Sequence, residues 1–411
     1  MLHIIINMKE NVLLYFFVLI TFGTGCSTNK QLKEDIPCID VRKNYTEKEI
    51  VLTEIADVTF VHLSTENDDY IYKGAIRSVT ENTFVVIDIS TGSILFFSKE
   101  GNPKSRFNRF GEGPQEYPLR NFSITYNEST DDVYVNCTPY PTAGSSISVY
   151  SSTGEFRRKL MLPQGSIPLP VIDYDDQSLF IYDNKKIYEK LKWKETDFTT
   201  QLFDSSYCRI SKTDGVVLEY IEFPDNNINL TDRGDKNNKF YESYKRVFNN
   251  DLGLFICNPE TDTVFLYGKD KILTPVICKT PLVSNKNPKV VMTDFLDTKK
   301  YHFIQVQTLF THKERINIQR DKEYKNYIYD KQTGEIFRQK ISLPDYKGKE
   351  FYILAATSYF YGKETTSLFL LDLLELKDAY KENRLSGKLK ELVATLDENK
   401  DNEVYMFARF R

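Results

Sequence analysis

The 411-residue chain reads as an all-β protein folded as a six-bladed β-propeller with four antiparallel strands in each blade. Three observations predict this. The composition is that of strands, with 27 Tyr and 28 Phe against one Trp and aromatics at 14% of the chain. A short glycine-ended turn recurs down the sequence at intervals too long for a solenoid repeat. The stretch from Lys48 to Arg411, divided by a repeat of about 58 residues, accommodates six units.

The N-terminus is read as an address. Lys9 precedes an uncharged run over residues 12–22, and Gly23-Thr24-Gly25 then places small residues directly before Cys26. A run of that length suits a signal-peptide core and is short for a membrane span. Residues 1–25 are therefore expected to be a leader, starting at Met1 or Met8. Residues 26–47 are polar, mixed in charge and without sustained period, as in a flexible tether. Residues 48–411 are expected to form one propeller domain.

Within that domain the second turn of each unit aligns. Phe97-Ser98-Lys99-Glu100-Gly101 matches Tyr150 to Gly154, Ser211 to Gly215, Tyr267 to Lys271 and Asp330 to Gly334. A final glycine supplies the positive φ of a bulged tight turn, and Lys271 is the one departure. In the first unit the strands AIRSVT, NTFVVIDI, SILFFS and PKSRFNRF surround the turn. The sixth unit has no such turn. Its strands are sought in residues 351–358, 367–374, 390–396 and 403–410, joined by N-terminal strands within 50–63 that close the ring. A helical period is visible only over 371–390.

The Gly111–Tyr117 segment GEGPQEY, the FSKEG turn before it, the Cys26 setting and the ending LDENKDNEVYMFARFR resemble the six-bladed β-propeller lipoproteins of Bacteroidetes. That group is related in fold to NHL-repeat propellers, and many of its members have no assigned function. The resemblance implies a lipidated Cys26 and an outer-membrane location facing the periplasm or the exterior. The chain departs at Gly23, where most lipoboxes carry a larger aliphatic residue, and at Glu403, where the family often has proline.

With 54 basic and 58 acidic side chains the net charge is -4, so the excess of cations that neutralises nucleic-acid phosphates is missing. Cys38, Cys137, Cys208, Cys257 and Cys278 show no CxxC spacing and are expected to be small buried hydrophobes, with a disulfide or metal site as the alternative. Candidate ligand-binding residues are Arg109, Glu112, Gln115, Glu116, Tyr117 and Arg120 around the GEGPQEY loop, with Tyr140 between two prolines, Trp193 between two lysines, and His302. For the loop the bland alternative is a bent interblade linker. Loops 138–145, 185–205, 224–242 and 281–300 are expected on the same face. Asp225, Asp232 and Asp235 lack D-x-D-x-D-G spacing, and no GxSxG accompanies the histidines. No catalytic residue, metal or cofactor is assigned. The expected function is a monomeric, lipid-anchored binding module for a glycan, peptide or partner protein. The alternatives are a hydrolase or lyase with a central, calcium-assisted site acting on a sugar or lactone, and a scaffold subunit of an envelope complex.

Overall fold

The computed structural model describes residues 36–65, 68–118, 123–136, 146–163, 168–183, 207–224, 246–284, 288–309, 323–355, 358–361, 364–398 and 400–411. Three strands come first: β1 (Cys38–Asp40), β2 (Glu47–Val51) and β3 (Ala56–His62), with a single helical turn α1 (Leu52–Ile55) between the last two. Blade one is then β4–β7 (Gly74–Val79, Thr83–Asp88, Ser93–Ser98, Pro103–Phe107), and blade two β8–β11 (Ser123–Asn127, Asp132–Asn136, Ser146–Tyr150, Phe156–Met161). Blade three is β12–β15 (Pro168–Asp173, Ser178–Asp183, Tyr207–Ser211, Val217–Ile221), and blade four β16–β19 (Arg246–Asn249, Gly253–Cys257, Thr263–Gly268, Leu273–Thr280). Blade five is β20–β23 (Lys289–Asp297, Tyr301–Leu309, Tyr324–Asp330, Ile336–Ser342). Blade six joins β24 (Ser358–Tyr361), β25 (Glu364–Leu371) and β26 (Val404–Phe410) to β3 as its outermost strand.

Strand position explains the sequence pattern. The second strand of a blade packs on both neighbouring blades, so both faces are apolar: all six residues of β5 and all five of β9 and β17 are buried. The outermost strand has one solvated side and alternates, as in β7 and β15.

The five aligned turns all end in a left-handed residue, at φ 91° for Gly101, 86° for Gly154, 85° for Gly215, 63° for Lys271 and 73° for Gly334. Three of the glycines are also pressed against the outer strand of the preceding blade. A Cβ on Gly101 would meet the His62 carbonyl oxygen at 2.1 Å, one on Gly154 the Phe107 Cβ at 2.5 Å, and one on Gly215 the Met161 oxygen at 2.7 Å. His62, Phe107 and Met161 are the last residues of β3, β7 and β11. The turn is thus an interblade staple, reinforced by Ser64 N–H donating to Gly101 O at 2.9 Å and Met161 N–H to Asp214 O at 3.0 Å. At the fourth junction Lys271 extends its ammonium to 3.5 Å from Glu219 on β15. At the fifth, a Cβ on Gly334 would meet nothing within 4 Å.

Ring closure follows the expected logic, with corrections to its parts. β3 pairs antiparallel with β26 from Ala56–Phe410 to His62–Val404. Phe84 of blade one stacks on Phe407 at 4.8 Å, and Asn402 Nδ2 donates to the carbonyls of Leu63 and Tyr70 at 3.1 and 3.0 Å. Residues 351–358 are not a strand of blade six, whose inner strand begins at Ser358, and 390–396 falls largely in a helix. The segment between β25 and β26 folds into α2 (Leu373–Lys381) and α3 (Gly387–Thr395). Asp372 caps α2 by accepting from Glu375 N–H at 2.8 Å, and Lys377 Nζ donates to the Val393 carbonyl at the end of α3 at 2.8 Å. Leu376, Ala379, Leu389 and Val393 bury the apolar stripe of this pair against the largest core cluster.

Part of the stretch expected as a tether, residues 38–40 and 47, belongs to strands of the fold. β1 adds in parallel to β19 of blade four and β2 in parallel to β23 of blade five. Ile39, Ile50 and Leu52 are buried, which secures these short strands. The N-terminal run therefore crosses the outer edges of blades four, five and six in turn. Cys38 and Cys278, opposite each other in the β1–β19 register, form a disulfide, which replaces the expectation of two isolated thiols. Beside it, Lys279 and Asp262 form a buried ion pair at 2.7 Å, with Val283 N–H donating to both Asp262 oxygens. Cys208 and Cys257 are buried, as expected, and form no disulfide among the described residues, and Cys137 lies outside those residues.

Two outcomes test this account. Gly154→Ala incurs both the left-handed penalty and an overpacked contact, about 2–4 kcal/mol together, whereas Gly334→Ala incurs only the first, about 1 kcal/mol; urea denaturation of the two variants should rank them so. Replacing Cys38 and Cys278 together by Ser opens a loop of 240 residues and should lower stability by about 2–5 kcal/mol, with the disulfide recovered by peptide mapping of the unreduced parent chain.

Candidate functional site

The GEGPQEY segment links the outer strand of blade one to the inner strand of blade two, and its backbone folds back on itself. Gly111 N–H donates to Tyr117 O at 3.1 Å and Tyr117 N–H to Arg109 O at 3.0 Å. The fully buried Tyr117 ring anchors this crossing: its hydroxyl donates to Gly92 O at 2.8 Å and accepts from Arg109 N–H at 2.9 Å. Glu116 turns inward, accepting from Gly113 N–H at 2.8 Å. This explains Gly111 in a way the sequence did not. Neither Gly111 nor Gly113 has a positive φ, but a Cβ on Gly111 would lie 2.0 Å from the Glu116 carboxylate. The requirement is for space above the carboxylate.

Three further bonds fasten the loop to blade two. Arg109 Nε donates to Gly154 O at 3.0 Å, Tyr150 OH to Gln115 O at 3.1 Å, and Lys159 Nζ to Pro114 O at 3.0 Å. Tyr117 and Glu116 are thus committed to architecture, while the side chains of Arg109, Glu112 and Gln115 belong to solvent-exposed residues on a fixed backbone. Arg120, Tyr140, Trp193 and Cys26 lie outside the described residues, as do Asp225, Asp232, Asp235 and His312. Within the expected 281–300 loop, Lys289–Asp297 is strand β20.

His302 is the second residue of β21, paired with Asp297 across the first turn of blade five and 7% exposed. Its Nδ1 lies 2.9 Å from Asp297 Oδ1 but off the line a hydrogen bond needs. The ring is held between Phe295 and Tyr329, at centroid distances of 5.1 and 5.7 Å. Asp297 is the hub of this cluster. Lys331 Nζ approaches its Oδ1 to 2.5 Å, Asn250 of blade four donates to Oδ2 at 3.0 Å, and Thr365 of blade six donates to its carbonyl at 3.2 Å. Burial raises the Asp297 carboxyl, but the nearby His302 and the Lys331 charge outweigh it and leave the group below its ordinary value. Burial pushes His302 down, opposed by Asp297.

The same device stands two blades back. Asn127 of blade two donates to Asp173 Oδ2 of blade three at 2.7 Å, and Lys212 Nζ lies 2.5 Å from the other Asp173 oxygen. Asn127 and Asp173 end the inner strands of their blades, and Lys212 follows the third, matching Asn250, Asp297 and Lys331 closely in position. Sequence reading missed this pairing, although an Asn, Asp and Lys recurring at equivalent turn positions was available as a signal. The duplication marks an interblade tie, and it places His302 in architecture. Among the described residues no three His, Cys, Asp or Glu side chains group as a metal site.

These features define a six-bladed propeller whose described polar clusters fasten neighbouring blades to one another. Residues 27–364 match the family model DUF5128, described as a 6-bladed beta-propeller, and the chain belongs to that family. Among solved structures it is similar to a protein described as exported from Bacteroides fragilis, at 16% identity and a TM-score of 0.57, covering 89% of this chain and 98% of that one. A DUF4221 member from Bacteroides vulgatus follows at 12% identity and a TM-score of 0.43, covering 87% of this chain and 97% of that one. No curated protein matches the sequence.

The cluster predicts a pH dependence. Both His302 and Asp297 have folded-state pKa values below their ordinary ones, so each contributes stability that is complete above its unfolded value and lost as pH falls through the folded one. Stability should therefore decline first below about pH 6.5, the ordinary imidazole value, and again below about pH 4. His62, lowered by burial on β3, adds to the first step. In urea midpoints measured from pH 8 to 5, His302→Gln should flatten part of that first decline; an unchanged slope would show that His302 does not titrate there.

Proposed function

We propose that this protein is a lipid-anchored binding module of the cell envelope, taking a glycan, peptide or partner protein on the face that carries its long interstrand links, without catalysing a reaction. The observation that carries the reading is the asymmetry of the two ends of the blades. The first and third turns of blades one to five are short, three to five residues between strands, as at 80–82 and 99–102. The second turns of blades two, three and five are longer, and so are the interblade links, including residues 184–206 and 222–245, while the second turns of blades one and four stay short. A rigid scaffold that concentrates variable-length chain on one face is the usual arrangement of a recognition surface.

The GEGPQEY loop supports the same reading. Its backbone is fixed by bonds within the loop and to blade two, so Arg109, Glu112 and Gln115 present polar groups with little ordering cost on binding. Anchoring rests on Cys26 after its small residues, and on the likeness of the fold to a protein described as exported. No helix among the described residues is long and apolar enough to cross a membrane.

The test is thermal melting of the purified chain against panels of glycans and peptides, with calcium and EDTA controls. A true ligand at a hundredfold excess over its Kd should add about 2.7 kcal/mol of stability. Glu112→Ala combined with Gln115→Ala should remove that shift while leaving the unliganded melting temperature within the range of exposed substitutions, about 0.5 kcal/mol. A shift produced by calcium alone and abolished by EDTA contradicts the reading. Incorporation of labelled palmitate, lost in Cys26→Ser, checks the anchor separately.

A further inference from the structure

We infer that the Cys38–Cys278 disulfide is a site of reversible thiol–disulfide exchange, and that its reduction by a dithiol releases β1 from blade four while β2 and the ring stay in place. The bond lies where a reagent reaches it. Cys38 is exposed on β1, and Cys278 is partly buried on β19, the outer strand that β1 covers. Cys208 and Cys257, by contrast, are buried within their blades. Exchange requires access of an attacking thiolate to one of the two sulfurs, and exposed disulfides are the labile ones.

The two short strands at the N-terminus are held very differently. β1 pairs with β19 at Cys38–Cys278, Ile39–Lys279 and Asp40–Thr280, and Val41 N–H donates to Thr280 O at 3.0 Å. Among residues 36–44 only Ile39 and Val41 are buried, so little apolar burial offsets the entropy of ordering the segment. The partner of Ile39 in the ladder is Lys279, whose ammonium lies 2.7 Å from Asp262. Release of β1 therefore brings water toward a charge pair, and water solvates both members. β2 is better secured. Its ladder with β23 runs from Glu47–Arg338 to Val51–Ser342, with Ile50 opposite the buried Ile341 and the Glu47 carboxylate 2.9 Å from Arg338. It continues directly into α1 and then β3, which is built into blade six. The disulfide is thus a fastener that β1 depends on and β2 does not.

The exchange balances in two steps. One thiolate of the dithiol attacks the exposed Cys38 sulfur and expels Cys278 as a thiolate. The second thiolate then closes on the first sulfur, forming the dithiol's internal disulfide and expelling Cys38. The dithiol is oxidised by two electrons, the two cysteines are reduced, and the two protons it gives up complete their thiols. The first strand attached to the ring then begins at Glu47 instead of Cys38, a stretch of chain that spans about 30 Å when extended. With a lipid on Cys26, as proposed above, the reach of the propeller from the membrane grows by up to that length. The exchange and the release of β1 do not rest on that reading.

The test uses the purified, air-oxidised chain, with dithiothreitol as the dithiol and no denaturant. Iodoacetamide should then label Cys38 and Cys278 and leave the buried Cys208 and Cys257 unlabelled. Amide exchange at Ile39 to Val41 should rise by about tenfold or more on reduction, with β2 and β26 changed by less than about twofold, and reoxidation should restore the slow rate. Cys38→Ser with Cys278→Ser should show the fast exchange without reductant and no response to dithiothreitol. Labelling that appears only after unfolding overturns the inference, as does reduction that leaves β1 protected or that frees β2 and β26 along with it. An oxidised chain in which both cysteines remain thiols overturns it too.

Discussion

The structure depends on the contact between a left-handed turn and the outer strand of the blade before it. A propeller's blades are separate sheets, so nothing in the hydrogen-bond ladders holds one to the next. Here the junction is made by pressing the turn on the outer strand, against backbone at Gly101 and Gly215 and against the Phe107 side chain at Gly154, closely enough that no Cβ fits. The same residue must also adopt a positive φ to turn the chain. Two independent requirements thus fall on one position, which is why the repeat is visible there and weak elsewhere. Where the crowding is relieved, at the fourth and fifth junctions, lysine is accepted at one and glycine remains for its φ alone at the other.

Beyond these staples the ring is tied by an N-terminal strap. Three short strands, few residues apart in sequence, reach the outer edges of three consecutive blades, and a disulfide fixes the first to blade four. The arrangement combines the usual closure, β3 beside β26, with a clasp that must open before blades four to six can separate. The paired Asn–Asp–Lys ties at blades two–three and four–five brace the opposite ends of the strands. The buried Asp297 and the half-buried Asp173 carboxylates are tolerated there because each receives an amide and an ammonium.

Much of the fold was legible in the sequence, and the reasons are physical. All five aligned turns carry positive φ, including Lys271, and the first blade's strands lie where their apolar runs begin and end. Periodicity failed where tertiary contact decides. β1 and β2 have too few residues to show a period, and pairing with β19 and β23 makes them strands. Residues 390–396 carry a mixed pattern that reads as strand or helix, and packing against α2 selects helix. The candidate site was less legible. Glu116 and Tyr117 look like donors and acceptors for a ligand in a linear reading, and only their contacts reveal them as the interior of a linker. His302 offers a similar lesson, since the Asp297 hub gathers residues from three blades.

The strap is the most exposed part of this account, because it assigns to a polar segment a share in holding the ring. Native-state amide exchange in low urea, resolved strand by strand, tests it most directly. β1 and β2 are expected to lose protection in the same opening step as β19, β23 and β26. Exchange of β1 and β2 at the rate of an unfolded peptide, while those three strands stay protected, would contradict it.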